Sequence, residues 1–243
     1  MKNLRSLNLF IDQLKNEDLK PIGEAIANLT ELKDLGLSFT FTEESNTNTL
    51  DFSSLREALQ VRIRLRSFKI DLGLVPVSLH LMNNIILACV ESQTNLEDLK
   101  LLLHIPKHLS EWTLNSSAPL DKLKSLSLNF IGVSRVSSNY FIAIHDFLKS
   151  KVQLEQLSLS LKSCFKTIGT LCILRVLLES QHCLRSLTLN LERNWLSAEE
   201  IESFMSGFKS LSHLESLILD IALDSQEAVA RFVTNLGSIT PSI

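Results

Sequence analysis

Glycine is scarce in this chain. Seven are scattered singly through 243 residues, so there is no glycine-rich loop whose backbone N–H groups could wrap a phosphate. The signatures G-x-S-x-G and H-E-x-x-H are missing as well. The six histidines, His80, His104, His108, His145, His182 and His213, fall in different segments, and Pro106 spoils the one pair, His104 and His108, with helical ligand spacing. Cys89, Cys164, Cys172 and Cys183 form neither a C-x-x-C motif nor a paired framework, which points to free thiols in a reducing, intracellular compartment. The expectation is a protein that is not an enzyme and holds no metal and no cofactor.

Charge of one sign is also lacking. With 24 basic against 27 acidic residues there is no electrostatic footprint of a nucleic-acid binder and no polybasic membrane patch. Protein partners are the expectation. No apolar run reaches the roughly 18 residues of a membrane span. The most apolar segment, 78–90, is interrupted by His80, Asn83 and Asn84, which suits a buried helix. Met1-Lys2-Asn3 runs straight into the first apolar pattern, so no signal peptide is expected.

What the chain does contain is one pattern, repeated. It is most complete in Leu184-Arg185-Ser186-Leu187-Thr188-Leu189-Asn190-Leu191, and its L-x-x-L-x-L anchors are Leu4, Leu32, Leu65, Leu96, Leu123, Leu154, Leu184 and Leu214. The spacings are 28, 33, 31, 27, 31, 30 and 30 residues. A period between roughly 20 and 50 residues marks a solenoid, whose coils bury their apolar faces only by stacking. Behind the anchors run three further apolar columns two residues apart, such as Leu187, Leu189 and Leu191, so each unit contains a strand with alternate side chains pointing inward. A slip of one residue would turn every leucine outward, so eight aligned units are a strong statement of register.

These residues resemble the leucine-rich repeat family over nearly the whole chain. A unit of about 30 residues with a helical stretch after each strand is similar to the ribonuclease-inhibitor-like subclass. The resemblance implies a single α/β domain, residues 1–243: a horseshoe solenoid of about eight strand-helix units with a parallel β-sheet on its concave face. The family places Asn or Cys after each strand to tie down the turning backbone. Ten residues past each anchor only Cys164 and Asn194 match, the others being Leu14, Thr42, Val75, Pro106, Val133 and Asp224. Less regular turns are expected in the early repeats.

Local signals fill in the coil. Asn16-Glu17-Asp18 reads as a helix start with Pro21 early in it, and Ser197-Ala198-Glu199-Glu200 has capping-box spacing ahead of an apolar stripe, Ile201, Phe204, Met205 and Phe208. Short helices are expected near Ser53 to Leu59, Leu79 to Val90, Phe141 to Leu148 and Ile168 to Leu178. Thr40 to Thr49 reads as a loop, and Pro106 and Pro119 make the fourth repeat irregular. Arg62, Arg64 and Arg66 read as solvated charge at a helix-to-strand turn. Neither end of the chain carries the polar unit that closes a solenoid, so a contact covering an uncapped repeat end, or a longer protein, is expected.

The residues between the leucines would line the concave face. Charge gathers in its middle at Lys69, Asp71, Asp98 and Lys100, beside Leu102, while Asn129, Gln156, Ser158, Ser186, Thr188 and Asn190 continue it in polar, uncharged form. Phe10 is its lone aromatic. A partner could engage these residues, or dock instead through edges, helices or a loop; Trp112, in the irregular fourth unit, is the loop candidate. The leading expectation is a non-catalytic protein-protein interaction scaffold or adaptor, a subunit of a larger assembly. An enzyme regulator of the Ran GTPase-activating-protein or ribonuclease-inhibitor type is the alternative, and a ubiquitin-ligase substrate receptor lacking a visible F-box is a third.

Overall fold

Each L-x-x-L-x-L unit makes one strand, because its inward leucines recur with the two-residue period of the pleat. The result, in a computed structural model describing residues 3–41, 51–61, 64–72, 93–104, 120–131, 138–163 and 170–239, is one open sheet of eight parallel strands in sequence order. The strands are β1 (Ser6–Leu14), β2 (Asp34–Phe41), β3 (Ser67–Asp71), β4 (Asp98–His104), β5 (Ser125–Ile131), β6 (Gln156–Ser160), β7 (Ser186–Leu196) and β8 (Ser216–Leu223). Six helices alternate with them among the described residues: α1 (Asn16–Ala27), α2 (Ser53–Val61), α3 (Ser138–Lys149), α4 (Thr170–Glu179), α5 (Ala198–Ser206), which runs on into a 3-10 turn (Gly207–Ser210), and α6 (Gln226–Ile239).

Register follows the sequence columns residue for residue. Leu35 pairs with Phe68, Phe68 with Leu99, Leu99 with Leu126, and so on to Leu217. A second device fixes the stacking just before each strand. The carbonyl of Arg5 accepts the N–H groups of Lys33 and Asp34, and the carbonyls of Lys33, Arg66, Glu97, Lys124, Glu155 and Arg185 each take the next coil in the same way, at 2.7–3.1 Å. Polar backbone at every coil entry is thereby satisfied by its neighbour.

One continuous apolar cluster lies between the sheet and the helices. From β2 to β7 the residues of the inward columns whose burial is described are within 2% of full burial, as at Leu37, Phe68, Leu99, Leu128, Leu157 and Leu189. Helical residues Leu55, Leu59, Phe147, Leu174, Leu178, Ile201 and Phe204 join the same cluster. Where helices approach most closely, Gly23 of α1 sits against α2: a Cβ there would stand 2.6 Å from the Leu55 backbone N. The outermost coils differ. Leu7, Leu9 and Ile11 in β1 and Leu217, Leu219 and Ile221 in β8 are only half-buried, since each has a neighbouring strand on one side alone.

The expected helix starts hold with one revision. Ser197 and Glu200 form the capping box, Ser197 Oγ accepting from the Glu200 N–H and Glu200 accepting from the Ser197 N–H at 3.0 Å. At α1 the cap position is Lys15, whose N–H donates to Asp18 at 3.0 Å. Asn16 instead accepts from the Asp51 N–H at 2.8 Å and so ties the approach to α2. The expected loop after Thr40, apart from its first two residues, lies outside the described residues, as do the helix near Leu79 to Val90, the irregular stretch after His104, Trp112, Cys89 and Cys164.

Of the five described positions nine residues after an anchor, three are left-handed and two, Phe41 and Leu223, are not. Gln13, Ser163 and Arg193 all have positive φ, 55°, 59° and 61°, and all stand nine residues after an anchor. The next residue closes the turn. Asn194 is buried and donates to the carbonyls of Leu161, at 3.0 Å, and Leu191, at 2.7 Å. In the first coil Leu14 takes that place and is buried by its side chain instead. The first repeat thus keeps the left-handed residue without the asparagine, whereas the second, at Phe41, lacks it.

Candidate functional site

The inward columns leave a second set of side chains on the opposite face of the sheet, and no described helix lies over it. Strand pairing arranges them in rows. Ser67, Asp98, Ser125, Gln156, Ser186 and Ser216 stand side by side, then Lys69, Lys100, Ser127, Ser158, Thr188 and Ile218, then Asp71, Leu102, Asn129, Ser160, Asn190 and Asp220. All eleven sheet residues expected to meet a partner, Lys69, Asp71, Asp98, Lys100, Leu102, Asn129, Gln156, Ser158, Ser186, Thr188 and Asn190, therefore share one surface. Each is exposed or half-exposed.

Charge at the centre is unevenly committed. Asp98 Oδ2 accepts from Ser67 Oγ at 2.9 Å and lies 3.6 Å from the Lys100 ammonium, while its Oδ1 is shielded from solvent with no hydrogen bond. Lys100 thus leans along its own strand toward Asp98. Lys69 stands directly beside Lys100 on the next strand and forms no ion pair with any described residue. Like charges placed opposite one another across a strand pair are disfavoured, so the pairing is a local cost to the sheet. Lys69, Asp71, Lys100, Leu102, Ser127 and Asn129 border a depression of about 160 Å³.

Further residues contribute that the choice of central charges passed over. Phe10, 69% exposed, stands on β1 of the same face opposite Ser38, and Gly36 lies between Asn8 and Lys69. A second depression, of about 140 Å³, is bordered by Asn8, Phe10, Gly36, Ser38 and Lys69. Asn8 crosses its floor, because a Cβ built on Gly36 would fall 2.1 Å from Asn8 Oδ1. The signal was a glycine in a strand, which often marks close approach of another group.

The outer polar residues are occupied locally. Asn190 Oδ1 accepts from the Glu192 N–H at 3.1 Å, so its side chain holds the end of β7. Two residues further along the strands, Thr40 donates to Asp12, and Lys162 pairs with Glu192, whose carboxyl is held below the usual carboxylate range by that hydrogen bond and by Arg193. Along the rim where the strands begin, the residues after the anchors alternate in sign from Arg66 onward. Arg66–Glu97 (3.0 Å), Lys124–Glu155 (3.2 Å) and Arg185–Glu215 (2.7 Å) are closed ion pairs, which accounts for Arg66 of the basic cluster.

Among the described residues no three His, Cys, Asp or Glu side chains gather as a metal site would need, and no helix is long and apolar enough to cross a membrane. Cys172 and Cys183 are exposed free thiols. At the other end of the sheet, α6 exposes Val229, Val233 and Leu236 at i, i+4 and i+7, and Ile218 on the uncovered face of β8 is 58% exposed.

No protein-family profile and no curated protein matches this chain. The architecture, one parallel sheet alternating with helices, is compatible with a leucine-rich-repeat-like solenoid.

Proposed function

We propose that this protein is a non-catalytic interaction scaffold or adaptor, a solenoid of the ribonuclease-inhibitor-like kind whose eight coils curve into a horseshoe with the sheet on the concave side. The observation that carries this reading is the uncovered sheet face, eight strands wide, on which strand register gathers the central charges and the polar rows beyond them. A broad, shallow surface of mixed charge suits another macromolecule better than a small substrate, which takes a deep and largely apolar cavity. Small neutral side chains dominate β5 to β7, so contact energy would concentrate toward β1 to β4, where Phe10, Lys69 and Lys100 stand. The proposed setting is a reducing, intracellular one, in which Cys172 and Cys183 stay as thiols, and the partners are proteins.

The test is affinity purification of the full chain from cells, compared with a double charge reversal, Lys69→Glu with Lys100→Glu. Partners lost from the reversed protein but retained by a control such as Lys20→Glu on α1 would support the reading. Unchanged recovery of every partner would count against the sheet face. A second contact is favoured by the apolar stripe Val229, Val233 and Leu236, because contiguous exposed apolar surface tends to mark an interface. This contact would cover the last coil, and partners lost on Val233→Asp alone would assign it.

A further inference from the structure

Two features of the sheet face lie close enough to be read by one short segment. The first is the depression floored by Gly36 and walled by the exposed ring of Phe10, with the Asn8 amide across it. No hydrogen bond engages that amide within the described residues. The second is the Lys69–Lys100 neighbour pair, in which Lys69 has no anionic partner among the described residues. A carboxylate between the two ammonium groups would relieve their repulsion and fit the local charge.

The spacing between them can be worked out. Strands in a sheet lie about 4.8 Å apart. From Gly36 on β2 to the midpoint of β3 and β4 is therefore about 7 Å, measured across the strands. An extended chain rises about 3.3 Å per residue and points every second side chain the same way, so residues i and i+2 lie about 6.6 Å apart on one side.

We propose that the sheet face binds an extended protein segment running across β1 to β4, with an aliphatic or aromatic side chain in the Phe10–Gly36 depression and, two residues on, an Asp or Glu between Lys69 and Lys100. This rests on the reading of the sheet face as a partner surface and names the chemistry it selects. Asn8 hydrogen-bonds the segment's backbone at the apolar position, where a side-chain amide can serve as donor and acceptor. Beyond Lys100, Leu102 and Asn129 border the next depression and meet the residue two beyond the acid.

The probe is an array of synthetic peptides carrying one Leu or Phe and one Glu, separated by zero to four residues in a Gly/Ser background, overlaid with the full chain. Capture should peak when a single residue separates them, and replacing Glu by Gln or Lys should abolish it. The variants Phe10→Ser and Lys69→Glu with Lys100→Glu should each weaken binding of the best peptide at least tenfold. Lys20→Glu on α1 should leave it unchanged, and unfolding curves should match wild type for all three. Capture indifferent to the acid or its spacing would overturn the proposal while leaving the face a partner surface. No capture of any peptide would also overturn it, and the affinity purification above then decides separately whether folded partners use the face.

Discussion

Lys151 shows how one position reads differently in sequence and in space. Its charge suits an exposed turn after α3, yet the residue is only 4% exposed, with its ammonium 5.6 Å from the centre of the Phe147 ring. Burial pushes its pKa below the ordinary lysine value, and the Asp121 carboxylate offsets only part of that. Because the folded-state value is lowered, between it and the unfolded value the unfolded chain binds more protons, and stability rises with pH across that window. Lys151→Met should therefore raise stability at neutral pH, and its advantage over wild type should shrink as pH climbs through the folded-state pKa toward the ordinary one. Urea denaturation at neutral and alkaline pH measures this; an advantage that grows with pH would contradict it. The same repeat position holds Gln93 and Gln181, both buried. Gln93 accepts from the Leu65 N–H at 2.7 Å and donates to the Leu59 carbonyl, while Gln181 donates to the Leu148 carbonyl at 2.9 Å. Three residues that look soluble thus bridge successive coils, which nothing in their identity announces.

At the scale of the strand and helix, two-residue alternation settles which side chains are inside. Leu157 is 2% exposed and its neighbour Gln156 faces out. Leu157→Ala should cost about 2–5 kcal/mol through lost transfer energy and the cavity left behind, whereas Gln156→Ala should change stability by less than about 0.5 kcal/mol. Denaturant midpoints would separate them, and equal effects would refute the assignment of faces. Helix positions were legible from caps and apolar stripes, as Ser197 and Glu200 show for α5. The turn after each strand was not. Positive φ at Gln13, Ser163 and Arg193 falls on residues with no left-handed preference in common, because the coil imposes the conformation and the buried residue behind it, Leu14 or Asn194, holds it.

Across the molecule, stability should follow the number of neighbours each coil has. Coils in a solenoid contribute an intrinsic term and a nearest-neighbour interface, so a coil with one interface is held less firmly than one with two. The half-buried leucines of β1 and β8, against the fully buried columns of β3 to β7, are the packing side of that difference. Hydrogen exchange of the isolated chain should show β1 and β8 amides protected less than those of β5, β6 and β7. Uniform protection would mean that the end coils are stabilised by something other than sheet neighbours. Addition of a partner that covers the last coil should raise protection in β8 and α6 selectively.

The anchors, their period and the alternation behind them were enough to specify eight parallel strands in one register, because each is a local rule repeated and a single slip would expose every leucine at once. The face a partner would meet followed from the same rule. What needed three dimensions was every relation between coils: the Lys69–Lys100 adjacency, the depression bordered by Gly36 and Phe10, the rim of alternating ion pairs, the glutamines and the lysine buried between turns. Those residues stand about 30 positions apart in the chain and about 4.8 Å apart in the sheet, and stacking alone turns the first separation into the second.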